Sequence, residues 1–533
     1  MLRPYELIFA AIMTSNPVDW TEDVAPDPEL EYRALLRSLR RTRGFGLFFV
    51  QCSPAEGERL MQKVRSDLPQ KTIDVLKLER AISNLYDEVA ALPNKDDIEI
   101  LFIQGLELSL YEYEQDKLWT DSAERYNYSE GSVPKLLAHL NLSRERFRSH
   151  FNLCFVFLVP LFALKYLMRR APDFFDWRSG VLEFAMDAKQ VEQESQRLSL
   201  EGECEEYLTW TPQDRNVRIL ELQALLEETQ QTPERKANLL LEQGTLFNAC
   251  RNYEAAITNY EKALAINPDN HQAWYARGNT LDNLVRLEEA IASYDKAIAI
   301  KPDDHYAWHN RGYTLDALGR NEEAIASYDQ AIAIKPDDHE AWCNRGNALS
   351  NLGRKEDAIA SYDQAITIKP DLHLAWYNRG IALSNLGRKE DAIVSYDQAI
   401  TIKPDLHLAW NNRGNALDDL GRNEDAIASY DQAITIKPDF HLAWNNRGTV
   451  LNDLGRNEEA IASYDQAIKI KPDDPGAWYN KACCYALWGK FEEAIENLQR
   501  AIELNLECRE WAKTDADFDG IRQDERFRAL VGE

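Results

Sequence analysis

The sequence predicts a multidomain protein: an N-terminal α/β domain built on a parallel sheet, followed by an all-α superhelical repeat solenoid. Three observations predict it. Short apolar runs alternate with helix-prone stretches up to about residue 205. A 34-residue unit then recurs as far as residue 509. The whole chain has 533 residues, of which 44% are hydrophobic, enough for two or three domains with sizeable cores.

The net charge is −28, spread along the chain rather than held in a tail. Such a chain repels phosphate backbones, so nucleic acid is a poor partner. The eight cysteines follow no paired spacing, which points to a reducing, cytoplasmic setting. The first apolar stretch is interrupted at Glu6, too early for the core of a signal peptide. The most apolar run, 151–164, is too short to span a bilayer and contains Pro160. It reads as a buried strand followed by a helix, and no membrane contact is expected.

Residues 1–27 form an N-terminal segment, and the α/β domain is expected over 28–205. Within it, 28–42 has the spacing of an amphipathic helix. Strands are expected at 44–51, 71–78, 97–104 and 151–159, and helices at 54–68, 79–92, 105–115, 131–150 and 161–170. Apolar strands separated by helices predict a parallel sheet covered on both faces. Residues 187–235 are charged and helix-prone, and 206–237 is expected to be a connector. Cys204 has no basic neighbour to lower its pKa, so it is not expected to be a catalytic thiol.

The repeats occupy 238–509 as eight units. Trp274, Trp308, Trp342, Trp376, Trp410, Trp444 and Trp478 mark seven of them, each preceded six residues earlier by a proline, from Pro268 to Pro472. Each unit holds two helices. Gly319, Gly353, Gly387, Gly421 and Gly455 can take the left-handed conformation that ends the first helix. The proline ends the second. Small residues such as Gly312 and Ala324 let the helices approach, with Trp, Tyr328 and Ala331 filling the contact. One unit cannot bury this face alone, so neighbours stack.

This Trp, Gly, Ala, Tyr, Ala, Pro order resembles the tetratricopeptide repeat over about half the chain. Where the family usually has Leu, this chain has Arg311, Arg345, Arg379, Arg413 and Arg447. These make either a structural ladder with carboxylates of the same or next repeat, or a basic stripe for acidic ligands. The resemblance implies a concave groove, lined by first helices, that binds a peptide or protein segment. Asn310, Asn344, Asn378, Asn412, Asn446 and Asn480 would line it, offering donor and acceptor to a peptide backbone. They resemble the asparagine ladder of O-linked N-acetylglucosamine transferases, although the 24 residues after the last unit are too few for a transferase domain. Solvated copies left by duplication are the other reading. Leu374, Leu408 and Leu442 stand where a carboxylate clamp would need bases, and predict apolar contacts instead. The ladder of His271, His305, His339, His373, His407 and His441 is spaced by about 8–10 Å, too far to share a metal, and suits helix starts.

The N-terminal domain resembles regulatory P-loop NTPases of the STAND/AAA type over about 30–205, through the loop at 52–59 after the first strand and the Ala-Pro-Asp-Phe stretch at 171–174. The resemblance makes Cys52, Gly57, Glu58 and Arg59 a degenerate phosphate loop. The Lys and hydroxyl that hold phosphate and magnesium are missing, and Gln104 stands for the magnesium-holding Asp. A domain that does not hydrolyse nucleotide is expected, with no cofactor. Asp515, Asp517, Asp519 and Gly520 begin like a calcium loop, but Arg526 replaces its bidentate Glu, so 510–533 reads as a capping helix.

These features predict a non-enzymatic scaffold or adaptor whose partner is a protein or peptide. The alternatives are a nucleotide-switched STAND-type regulator with the repeats as sensor, and a self-associating structural solenoid.

Overall fold

The computed structural model describes residues 27–110, 134–200, 204–228 and 230–532. Apart from Asp27, the expected N-terminal segment lies outside them, as do residues 111–115 of the helix expected at 105–115 and the Cys204 side chain. The chain divides into two compact units, Met1–Leu284 and Val285–Glu533.

In the first unit, α1 (Pro28–Arg41) precedes β1 (Gly46–Gln51), α2 (Pro54–Asp67), β2 (Ile73–Lys77), α3 (Leu85–Ala90) and β3 (Ile100–Gln104). Then come α4 (Lys135–His150), β4 (Cys154–Val159), α5 (Leu161–Arg170), α6 (Pro172–Phe175) and β5 (Gly180–Glu183). The sheet is parallel, in the order β2-β3-β4-β1-β5. Alternate residues explain why its strands are apolar throughout. Phe48, Val50, Phe102, Val156 and Leu158 pack against α1 and α2, while Leu47, Phe49, Leu101, Phe155 and Phe157 pack against α3 to α6. The apolar run at 151–164 is the buried β4 and the start of α5, as its sequence predicts.

Three expectations need correction. The helix expected over 79–92 is only α3, because Asn84 caps it and sets its start. Strand β5 was not anticipated; four residues at a sheet edge are too short for a periodic signal. The region read as a connector is a packed helical layer: α7 (Ala188–Leu200), α8 (Cys204–Thr209), α9 (Pro212–Leu226) and α10 (Pro233–Ala249) bury Val191, Leu198, Tyr207, Ile219, Leu222 and Leu239 together. Two further repeat helices, Tyr253–Ile266 and His271–Asn283, complete this unit.

The second unit is a helical solenoid. First helices such as His305–Ala317 and His339–Asn351 alternate with second helices such as Asn321–Ile334 and Lys355–Ile368. A Cβ at Gly346 would sit 2.5 Å from the Tyr362 ring, and the same clash recurs at Gly312, Gly380, Gly414 and Gly448. Glycine is therefore required for the paired helices to meet. The Trp indoles do less filling than expected. They are half-buried, and each Nε1 donates to the proline carbonyl six residues earlier, for example Trp342 to Pro336 at 3.0 Å. Trp thus pins the turn between units.

The histidines do start the first helices, one residue after the cap. Asp304 and Asp338 cap two of these helices, whereas Leu372, Leu406 and Phe440 stand at the same place and make no cap bond. These three are instead at least partly buried against the core. The expected single capping helix is in fact Glu507–Thr514, a 3-10 turn Ala516–Ile521 and Glu525–Val531, which seal the last repeat with Phe518, Ile521, Phe527 and Val531.

Gly319, Gly353, Gly387, Gly421 and Gly455 hold φ between +69° and +78°, as their sequence position predicts. Val285 holds the matching place with φ 60° and is 75% exposed. A β-branched residue is strained there by about 1–2 kcal/mol. Val285→Gly is expected to stabilise the chain by about 1 kcal/mol after the added backbone entropy of glycine is counted, read as a higher urea midpoint at unchanged helical circular dichroism. An unchanged or lower midpoint would show that Val285 is not strained.

Candidate functional site

Helical spacing brings Tyr306, His309, Asn310, Tyr313 and Asp316 to one side of a first helix, since steps of three, four, seven and ten fall near whole turns. The following units repeat this arrangement. All six ladder asparagines are half-buried there. Asn378 Nδ2 donates to Asn347 Oδ1 at 2.9 Å, Asn412 to the Tyr377 hydroxyl at 3.2 Å and Asn480 to Asn445 Oδ1 at 3.1 Å. Asn446 donates to Asn411 and Asn415 at 3.3 and 3.0 Å, and Asn344 lies 3.3 Å from His309 Nε2. Every one of these contacts reaches the preceding first helix. The donor that each carboxamide was expected to offer a peptide backbone is thus already engaged within the array in these five units. The amide nitrogen ties neighbouring repeats together, and in Asn344, Asn378, Asn446 and Asn480 the carbonyl oxygen has no partner among the described residues.

The receiving residues His309, Tyr377, Asn347, Asn411, Asn415 and Asn445 were not singled out from sequence. A signal was present. Second helices hardly change from unit to unit, while one first-helix place reads His309, Cys343, Tyr377, Asn411, Asn445 and another reads Tyr313, Asn347, Ile381, Asn415, Thr449. Leu374, Leu408 and Leu442 are 48%, 39% and 45% exposed, beside this variable face. Tyr306 and Tyr313 are exposed two units before Leu374, with Glu340 at the matching place in the unit between. Asp316, Asp418 and Asp453 lie toward the ends of the first helices. Burial holds all three carboxyls above their ordinary range, and Asp316 Oδ1 is sealed with no donor. This face is rich in acceptors.

The arginines belong to the scaffold. Arg345 Nε donates to Asp329 of the preceding repeat and its terminal nitrogen to Ser361 of its own, both at 2.6 Å. Arg311, Arg379, Arg413 and Arg447 repeat the pair, and Lys481 meets Asp465 at 2.7 Å. Each cation is spent on neighbouring repeats, so these residues do not form a stripe for acidic ligands. The Asp515 carboxylate caps the 3-10 turn and accepts from the Tyr479 hydroxyl at 2.8 Å, which is a packing role.

A second site lies at the carboxyl ends of the strands. The connections leaving β1 and β4 run to opposite sides of the sheet, which makes the crevice between them the switch point where open parallel sheets hold ligands. A cavity of about 710 Å³ opens there, floored by Cys52, Ser53, Gln104 and Glu107 and roofed by residues of α7 and α9. The loop read as phosphate-binding is corrected. Only Cys52 and Ser53 are outside helix: Ser53 caps α2 and Pro54 begins it, so Gly57, Glu58 and Arg59 are already helical. Gly57 is buried, and a Cβ there would lie 3.2 Å from Leu158 and 3.3 Å from Gln104. It is a packing glycine. Glu58 lines the cavity, Arg59 pairs with Glu56 at 3.4 Å, and burial beside Glu56, Glu107 and Glu228 pushes the Cys52 thiol well up. Cys52 is therefore not an activated thiol.

Family models described as tetratricopeptide repeat match residues 241–305, 293–326, 339–372, 373–406, 410–475 and 475–508, and one described as TPR repeat matches 316–353. Among solved structures, MamA is 25% identical over 30% of this chain and 94% of its own, with a TM-score of 0.30. YrrB, described as a TPR protein with an unusual peptide-binding site, is 23% identical over 34% and 92%, with a TM-score of 0.31. A tetratricopeptide repeat protein from Parabacteroides merdae is 18% identical over 49% and 98%, with a TM-score of 0.36. No curated protein matches the chain.

Two predictions follow from these sites. Asn446→Ala removes two inter-repeat bonds and is expected to cost about 1–3 kcal/mol, read as a lower urea midpoint; no change would mean that the ladder does not couple repeats. Glu228 is pushed up to about 7, by burial first and by Glu183, Glu56 and Glu227 after it, against the bond from the Met186 amide. Its folded pKa is raised, so its contribution to stability is complete below the ordinary carboxylate pKa and is lost as pH rises through 7. Stability of the first unit should fall between pH 5 and 8, and Glu228→Gln should make that slope shallower. An identical slope in the variant would remove Glu228 as the cause.

Proposed function

Because residues 241–508 belong to the tetratricopeptide repeat family, we propose that this protein is a non-enzymatic scaffold that holds a peptide or protein segment along its first helices. Tetratricopeptide repeats mediate protein–protein interaction, and the observation that carries the proposal for this chain is where its repeats differ. Scaffold residues repeat almost unchanged, while side chains on the first-helix face change from unit to unit. A purely structural copy has no need of that contrast.

The chemistry of the face describes the segment it suits. Leu374, Leu408 and Leu442 supply apolar contacts, and the asparagine carbonyls and Asp316, Asp418 and Asp453 supply acceptors. The segment should be extended or helical, with apolar side chains, N–H donors and basic residues. The N-terminal domain serves, in this reading, as a degenerate NTPase-like domain kept for protein contacts in a cytoplasmic setting. Its support is the parallel sheet with a helix opening directly from β1, the missing phosphate lysine, and carboxylates at the strand ends. Glu58 and Glu107 oppose a bound triphosphate.

Selection of random displayed peptides on the full chain tests the groove. Selected peptides should be basic and apolar. Changing Leu374, Leu408 and Leu442 together to Ser should weaken a synthetic consensus peptide at least tenfold at unchanged helical circular dichroism, while Glu356→Ala on a second helix should leave it intact. Equal binding by the parent and the triple variant would remove the first-helix face as the binding site.

A further inference from the structure

The strand-end cavity has a chemistry of its own, independent of the repeat groove. Among the described residues its walls carry Glu58, Glu79, Glu107, Glu194, Asp214 and Glu221 against two cations, Lys77 and Arg197. Both cations are committed. Arg197 pairs with Glu194 at 3.0 Å and lies 3.9 Å from Glu221, and Lys77 lies 3.9 Å from Glu58. Glu79 and Glu107 have no cation among the described residues. Glu107 is the decisive residue. It lines the cavity just past the end of β3, its carboxyl is buried, and its Oε2 meets no hydrogen-bond donor. The Glu107 and Gly105 amides serve the carboxyl, but a buried carboxylate oxygen left without a donor is costly. Leu78, Leu108, Leu158, Met186, Val217 and Leu220 make the remaining wall apolar. A volume of about 710 Å³ suits a small organic molecule.

We propose that this cavity binds an organic ammonium ligand with an aliphatic body, its charged end meeting Glu107 and its chain lying against the apolar wall. The acidic lining excludes phosphates, and the apolar wall has no use for a bare hydrated metal ion. Burial raises the Glu107 carboxyl to about 7, against the lowering effect of the Glu107 and Gly105 amides. At neutral pH it is therefore partly protonated, and pairing with an ammonium must release that proton.

The test uses the full chain with 1,8-diaminooctane as probe, 1,8-octanediol as its uncharged counterpart and ATP with magnesium as the anionic one. Calorimetry at pH 7 should show diamine binding at least tenfold tighter than the diol, with no ATP binding. Heats in phosphate and Tris should differ by the difference between the two buffers' ionisation enthalpies, scaled by the fraction of a proton released. Glu107→Gln keeps the shape and the fold, and should weaken the diamine at least tenfold and abolish the buffer dependence. Glu79→Gln, at the exposed rim, should weaken it less. Equal binding of diol and diamine, unchanged diamine binding in Glu107→Gln, or binding of ATP in preference to the diamine would each overturn the proposal.

Discussion

The repeat array depends on the approach of a glycine to a tyrosine ring. Each first helix presents a bare backbone at Gly346 or its equivalents, and the tyrosine ring of the second helix lies directly against it, with no room for a methyl group. That contact sets how closely the two helices pair. The pair spacing in turn brings each arginine within reach of an aspartate in the unit before and a serine in its own. Ladder asparagines then reach the preceding first helix. Removing the glycine would displace the polar contacts that join one repeat to the next, so packing comes first and electrostatics follows.

Much of this was legible because the repeat states its own alignment. A glycine, a tyrosine and a proline at fixed spacing identify the helix pair, its turn and its stop. The contacts between repeats were harder to read. Arginine could have faced ligand or scaffold, and only the neighbouring aspartate and serine, each 16 residues away, decide it. The asparagine ladder shows the same limit. Its register was plain, but the side to which each amide points depends on the helix before it.

In the N-terminal unit, strands were readable as apolar runs, since burial on both faces removes polar residues from them. The phosphate-loop reading failed on a local cue that outweighs spacing. Ser53 followed by Pro54 is a strong helix start, and it places Gly57 inside the helix rather than in a loop. Edge strand β5 had no periodic signature long enough to reveal it, and the helices over 188–226 were legible as helices but not as a packed layer above the cavity. The cavity itself brings together residues from 52 to 225, a separation that no local pattern reports.

The exchange of aspartate caps for Leu372, Leu406 and Phe440 makes the array uneven in what holds it. At Asp304, Asp338 and Asp474 a charged side chain accepts backbone amides at a helix start, an interaction that salt screens. At the three apolar places a buried side chain does the holding, and salt does not weaken that contact while cold does. The middle of the array and its flanks thus respond to opposite stresses. A solution that loosens the capped turns leaves the plugged ones shut, and chilling reverses the order.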